Sequence, residues 1–553
     1  MLNTFRYNLS QTLDADLART IADWNAGDKI NRIWQKDATV WTNEDEAKWL
    51  GWLDIAEGEL ADSDKYTSLQ SDIQADGFTQ VLLMGMGGSS LCPEVLAETF
   101  HREHFHILDS TDPAQIRSVE EKLDLEKTLF IVASKSGSTL EPNCFKQYFF
   151  ELLAEKVGRE RAGRQFIAIT DPGSKMERVA KDDSFRHIFY GRPSIGGRFS
   201  ALSAFGLTAA ASMGLMVDGF LGNAIEMVSE CRVADASQNP GALLGIILGL
   251  CHASGRDKLT IFTSPEISDL GAWLEQLIAE STGKNGVAVI PIDREPVVTP
   301  EYSNDRVFAF LSAGDDNGIE ERYDNISSAG HPCVHIGLPS IENLGQEFFR
   351  WEFATAVAGS VMRINPFNQP DVEAAKIESR KLTDEYEQTG SLPAETPFFD
   401  GDGLKFFSNS PVPGLSAAEV VTTFINENVH STDYFAVLAY VEMNAETQDL
   451  LQIVRERVLA AKNVATCLGF GPRFLHSTGQ AYKGGGNNGV FLQITCDDAA
   501  DLQVPGQKYT FGIVKAAQAR GDLQVLQSRG RRTLRIHLSS DVTGDLEKLL
   551  AMV

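Results

Sequence analysis

TLFIVASKSGSTLEPNCFKQYFFELLAEK, residues 128–156, falls into three parts. The first, 128–133, is a short run without a charge, as in a strand buried on both faces of a parallel sheet. The second, SKSGST, is a turn of hydroxyls, one lysine and one glycine. The third has helical periodicity. Strand, hydroxyl-rich turn and helix in that order make an anion cradle, because free N–H groups at a helix N-terminus and nearby hydroxyls suit a negative charge. The same hydroxyls could simply cap the helix. The two roles are compatible, since both use the same N–H groups.

The pattern repeats on either side. VLLMGM (81–86), HFHIL (104–108), QFIAIT (165–170) and HIFY (187–190) read as further strands with helical segments between them. A second block follows with LTIFTS (259–264), GVAVIPI (286–292), RVFAFL (306–311) and PCVHIGL (332–338). Strand and helix alternating at this spacing imply an α/β fold with parallel sheets flanked by helices. The expected division is a helical N-terminal segment (1–60), two related α/β domains (61–235 and 236–376) and a C-terminal α/β region (377–553). Ligands in such sheets bind beyond the carboxyl ends of the strands. MGMGGSS (84–90) ends one strand as SKSGST ends another, so both turns can line one crevice.

Composition narrows the partners. The net charge is −27, which disfavours nucleic acid and anionic membrane and calls for local cations at any phosphate site. Lys135 in the cradle is the first candidate. Seven dispersed cysteines form no CxxC pair, which argues against a disulfide framework or zinc site and fits a reducing cytoplasm. The first 24 residues hold no apolar core of signal-peptide length. ALSAFGLTAAASMGLM and ALLGIILGLC are too short to span a bilayer and read as buried helices.

Four further places could carry chemistry. GGRFSALSAFG (196–206) sets Arg198 among small and apolar residues, so its charge is expected to face a cleft. In ISDLGAWLEQLIAEST (267–282), Leu270, Trp273, Leu274, Leu277 and Ile278 form an apolar stripe. Gln276 and Glu280 share a face at its edge. A carboxylate there is either a rim residue or a partly desolvated base suited to proton abstraction beside a carbonyl. His331 precedes a strand, where a structural histidine is the plainer reading. His476 and Lys483 lie in FLHSTGQAYKGGG, whose glycines either free the lysine to approach a ligand or make a surface turn.

In order, MGMGGSS, SKSGSTLEP, GGRFSALS, QLIAESTGK, INPFNQPDVEAAK and FLHSTGQAYKGGG resemble the motifs of glucose-6-phosphate isomerases, built on two sugar-isomerase (SIS-type) domains. The resemblance is nearest to the isomerase half of bifunctional transaldolase/glucose-6-phosphate isomerase proteins. No transaldolase half is seen. The resemblance implies an aldose–ketose isomerase interconverting glucose 6-phosphate and fructose 6-phosphate through a cis-enediol. Alternatives are an isomerase that also accepts mannose 6-phosphate and a non-catalytic sugar-phosphate sensor.

By the same resemblance, Ser89, Ser134, Lys135, Ser136 and Thr139 bind the phosphate, with Gly88 and Gln276 also at the substrate. Glu280 moves the proton between C1 and C2, Arg198 stabilises the oxyanion, and Lys483 is the C-terminal catalytic lysine. The family's ring-opening histidine has no evident counterpart: His331 is the first candidate and His476 the second. No metal or other cofactor is implied. Relatives often share sites across a dimer, so a homodimer is an open expectation.

Overall fold

The computed structural model describes residues 1–297, 301–314 and 316–553. It contains three sheets covered by helices. In the first, the order is Phe105–Leu108, Gln80–Met84, Thr128–Ala133, Phe166–Thr170, His187–Tyr190, all parallel. The chain runs from Gln80–Met84 outward to Phe105–Leu108, then returns to the other side at Thr128–Ala133. The strand order therefore reverses between Gln80–Met84 and Thr128–Ala133, and a crevice opens where their loops diverge. Every residue of Thr128–Ala133 is buried, which explains its unbroken apolar run.

The second sheet holds Cys333–Leu338, Arg306–Ala313, Lys258–Thr263 and Ile290–Asp293 in parallel. Its edge is closed by Thr4–Asn8, antiparallel to Cys333–Leu338. The expectation of a purely helical N-terminal segment therefore misses a strand. Thr4–Asn8 has almost no buried side chain, so it lacks the alternation that marks a strand. Ladder bonds hold it, together with Arg350 donating to the carbonyls of Asn3 (2.9 Å) and Thr4 (3.3 Å).

Helix Leu344–Met362, buried along nearly its whole length, packs on helix Pro240–Ala253. One apolar core unites these helices, the N-terminal tryptophans and the inner faces of both sheets. Ala204–Ser212 and Pro240–Ala253 are the buried helices expected from their composition. Among the described residues, no helix is long and apolar enough to cross a membrane.

In the third sheet, Arg532–Leu538, Gly489–Cys496, Tyr434–Tyr440 and Ala465–Phe470 are parallel, and the hairpin Phe399–Gly401/Leu404–Phe407 is antiparallel at the edge. Helix Pro370–Thr389 leads into this part and packs along Phe511–Ser528. A separate apolar cluster joins Ile290 and Ile292 of the second sheet to Tyr434, Tyr440 and Phe474, so the third part is seated on the second by burial.

Candidate active site

A cleft of about 430 Å³ opens at the reversal of the first sheet. One wall is the turn Gly87–Ser89. There Gly87 has φ +55°, and a Cβ on Gly88 would lie 2.0 Å from the Gly197 carbonyl oxygen. Only glycine lets this turn meet the Arg198 segment.

The opposite wall is Ser134, Lys135, Ser136 and Thr139. Thr139 is the N-cap of helix Leu140–Val157, but its hydroxyl makes no capping bond. Ser136 and Ser138 share one hydrogen bond (2.7 Å), and buried Ser134 Oγ has no hydrogen-bond partner in the protein. The cradle hydroxyls are thus little used by the helix itself, and the helix dipole adds positive potential there.

Lys135, expected as the counter-charge, is ion-paired with Asp171. Its charge is therefore already shared. Lys376, on Pro370–Thr389, also lines the cleft and was not singled out from the sequence.

Gln276 and Glu280 project into the cleft from the end of helix Leu270–Thr282, whose apolar stripe is buried. Gln276 Nε2 donates to Glu280 Oε2 (3.2 Å) and to the His476 carbonyl (2.8 Å). Its Oε1 is buried without a partner. A carboxylate in a helix's last turn faces the negative end of the dipole. Arg198 offsets this, with Nη1 3.3 Å from Glu280 Oε1.

Arg198 is 2% exposed and lies beneath the cleft rather than facing it. Its other partners are Ser281 Oγ (2.7 Å), Gln369 Oε1 (3.0 Å) and the carbonyls of Pro366 (2.7 Å) and Asn368 (3.1 Å). Burial lowers its pKa, and the Glu280 charge opposes that. Lys284, also buried, binds the carbonyls of Asn365 (2.8 Å) and Asn368, so it secures the segment that holds Arg198.

Of the two candidate histidines, one lies away from the cleft and one lines it. His331 is 7% exposed and packs edge-on against Phe308, with ring centroids 5.3 Å apart. Burial lowers its pKa, and it does not line the cleft. His476 does, and its Nε2 lies 2.9 Å from Glu141 Oε1.

Burial pushes the Glu141 carboxyl up, but the His476 charge and hydrogen bond lead a set of effects that outweigh it, leaving its pKa below the ordinary value. An ionised carboxylate only accepts hydrogen bonds, so Nε2 carries the proton and Nδ1 is left to exchange one. Glu141 stands inside the SKSGSTLEP motif, in the first turn of helix Leu140–Val157, where its local sequence gives no sign of a distant partner. Its partner is 335 positions away.

Lys483 does not reach the cleft. It is 2% exposed in helix Gly479–Gly484, with Nζ 2.5 Å from Asp522 Oδ1 and 3.3 Å from the Gly479 carbonyl. A buried ammonium needs a partner, and Asp522 supplies it. The glycines that suggested a mobile lysine instead allow close packing: a Cβ on Gly484 would lie 2.4 Å from Asp371 Oδ2.

Among the described residues, Asp112, Cys496 and Asp498 are spaced as metal ligands could be. However, the Lys515 ammonium sits among them, 2.7 Å from Asp112, 2.5 Å from Asp498 and 3.6 Å from the Cys496 sulfur. All seven cysteines are free thiols.

Residues 71–294, which contribute the cradle of the cleft, Arg198, Gln276 and Glu280, match the family model described as Phosphoglucose isomerase. A probable glucose-6-phosphate isomerase of Methanococcus maripaludis is 27% identical over 398 residues, 64% of this chain and 87% of that protein. A glucose-6-phosphate isomerase of Gloeothece citriformis is 32% identical over 364 residues, 55% of this chain and 65% of that protein. The crystal structure of a glucose-6-phosphate isomerase from Chlamydia trachomatis shares the fold, with a TM-score of 0.58 at 18% identity over 70% of this chain and 89% of that one. The chain carries, over residues 71–294, a domain of the phosphoglucose isomerase family.

Proposed function

We propose that the chain interconverts glucose 6-phosphate and fructose 6-phosphate in this cleft. The observation that carries the reading is the placement of Glu280. It reaches the cleft from one side, is fixed by Gln276 and Arg198, and faces hydroxyls and helix N–H groups suited to a phosphate.

Ser89, Ser134, Ser136 and Thr139 would hold the phosphate, with Lys376 supplying charge beyond that of the Lys135–Asp171 pair. The pyranose opens when the O1 hydroxyl gives up its proton and the ring oxygen receives one. His476, oriented by Glu141, is the group placed to carry that proton. In the open chain, Glu280 takes the proton from C2, electrons shift toward the C1 carbonyl to give the cis-enediolate, a proton passes from O2 to O1, and Glu280 returns its proton to C1 as the C2 carbonyl forms.

The positive charge of Arg198 beneath Glu280 stabilises the negative charge that moves from carboxylate to enediolate. The free thiols fit a reducing compartment, consistent with a place in the cytoplasm.

A coupled assay on the purified chain tests the reading, with fructose 6-phosphate and mannose 6-phosphate offered separately. Conversion of fructose 6-phosphate to glucose 6-phosphate is expected. No conversion of either sugar would favour a sugar-phosphate sensor and overturn it.

A further inference from the structure

Gln518 has no role in the steps above, yet it touches the group that orients their histidine. It lies on helix Phe511–Ser528 and is 3% exposed. Its Nε2 donates to Glu141 Oε1 at 2.6 Å, the same oxygen that His476 Nε2 approaches. Its Oε1 accepts from the hydroxyl of fully buried Thr111 at 2.8 Å. A flipped amide would set its carbonyl oxygen against the carboxylate, so the orientation is fixed. Thr111, Gln518, Glu141 and His476 thus form one line, joining a loop of the first sheet to the C-terminal part through a single carboxylate oxygen.

We propose that Gln518 is a positioning residue for ring opening: it holds the Glu141 carboxylate toward His476 and draws off part of its negative charge, keeping the imidazole able to release its proton. The proposal rests on the assignment of His476. With the Gln518 donor gone, the carboxylate bears its charge toward the imidazole alone. That favours the protonated histidine, so the limb of the rate profile belonging to His476 moves to higher pH. The other charged or titratable groups around the pair are Lys376, Glu373, Arg380 and Asp384 on Pro370–Thr389, the Lys135–Asp171 pair and Glu280 across the cleft, and Cys144, Tyr440 and Tyr509. Burial raises the pKa of those last three, so each keeps its proton near neutrality.

A purely structural role for Gln518 would lower stability and leave the pH profile in place. The test compares Gln518→Met, Thr111→Val and His476→Gln with the parent chain, measuring kcat, KM and the pH dependence of kcat/KM. Gln518→Met is expected to lower kcat about tenfold, move the limb upward by about half to one pH unit and change KM little. Thr111→Val, which leaves the Gln518 donor in place but unanchored, should act in the same direction and less. If His476→Gln is inactive while Gln518→Met keeps the parent profile, the positioning role is overturned and the histidine assignment stands. If His476→Gln retains turnover, the histidine assignment itself is wrong. Should Gln518→Met not fold, an unshifted profile in Thr111→Val overturns the role.

Discussion

Arg198, beneath the cleft, lies 3.3 Å from Glu280, which lines it, with side-chain exposures of 2% and 12%. The guanidinium is held by other protein groups on all three of its nitrogens, so its orientation is set before any substrate arrives. Such preorganised charge costs no rearrangement during reaction. Arg198→Met is expected to leave Glu280 beside the helix terminus without its counter-charge. Turnover should fall by about 10²–10³-fold, with a smaller change in KM, in steady-state kinetics on fructose 6-phosphate. An unchanged kcat would remove Arg198 from the account.

Lys483 and Asp522 are expected to behave as a structural pair. Lys483→Met alone leaves a buried carboxylate unpaired and should cost about 3–5 kcal/mol. Replacing both, as Lys483→Met with Asp522→Leu, should restore much of that stability, because an apolar pair can substitute for a buried ion pair. The double variant should isomerise at a rate near that of the parent chain. Chemical denaturation and the coupled assay together decide it: a stable but inactive double variant would return Lys483 to the catalytic machinery.

The histidines separate cleanly. His331→Phe fills an apolar setting among aromatic rings and is expected to leave kcat near its parent value. Changing His476 or Glu141 should lower turnover, and the pair changed together should cost little more than either alone, as expected for residues acting as a unit. A double-mutant cycle on kcat measures this, and full additivity would mean that the two act independently.

Glu141 also links stability to acid. Its folded pKa lies below the ordinary glutamate value, so the ionised group contributes stability above that value, and the contribution is lost as pH falls through the depressed one. Glu141→Gln should therefore be less stable than the parent chain near neutrality, by about 1.5–3 kcal/mol. The gap should narrow as pH falls below the ordinary glutamate value, and melting temperatures measured on the acid side would show it. A gap that widens on acidification would contradict it.

The first sheet was legible because its strands are buried on both faces and announce themselves as apolar runs, with turns placed at the strand-order reversal. Gln276 and Glu280 were legible because helical spacing alone sets them on one face. Thr4–Asn8 was not, since an exposed edge strand carries no alternation and its partners lie more than 300 positions away. The same distance hid the His476–Glu141–Gln518 line: each residue is ordinary in its own neighbourhood, and only the packing of the third part against the first brings them together. Lys483 misled for a related reason. Glycines permit either mobility or close packing, and the sequence does not say which.

The central claim is that Glu280 moves the proton between C1 and C2. The direct measurement is deuterium incorporation at C2 of glucose 6-phosphate in heavy water, followed by NMR, for the parent chain and Glu280→Gln, with sugar-phosphate binding measured in parallel. The account predicts that the variant binds the sugar phosphate but incorporates deuterium at least about 10²-fold more slowly. Incorporation at a rate near that of the parent chain would contradict it.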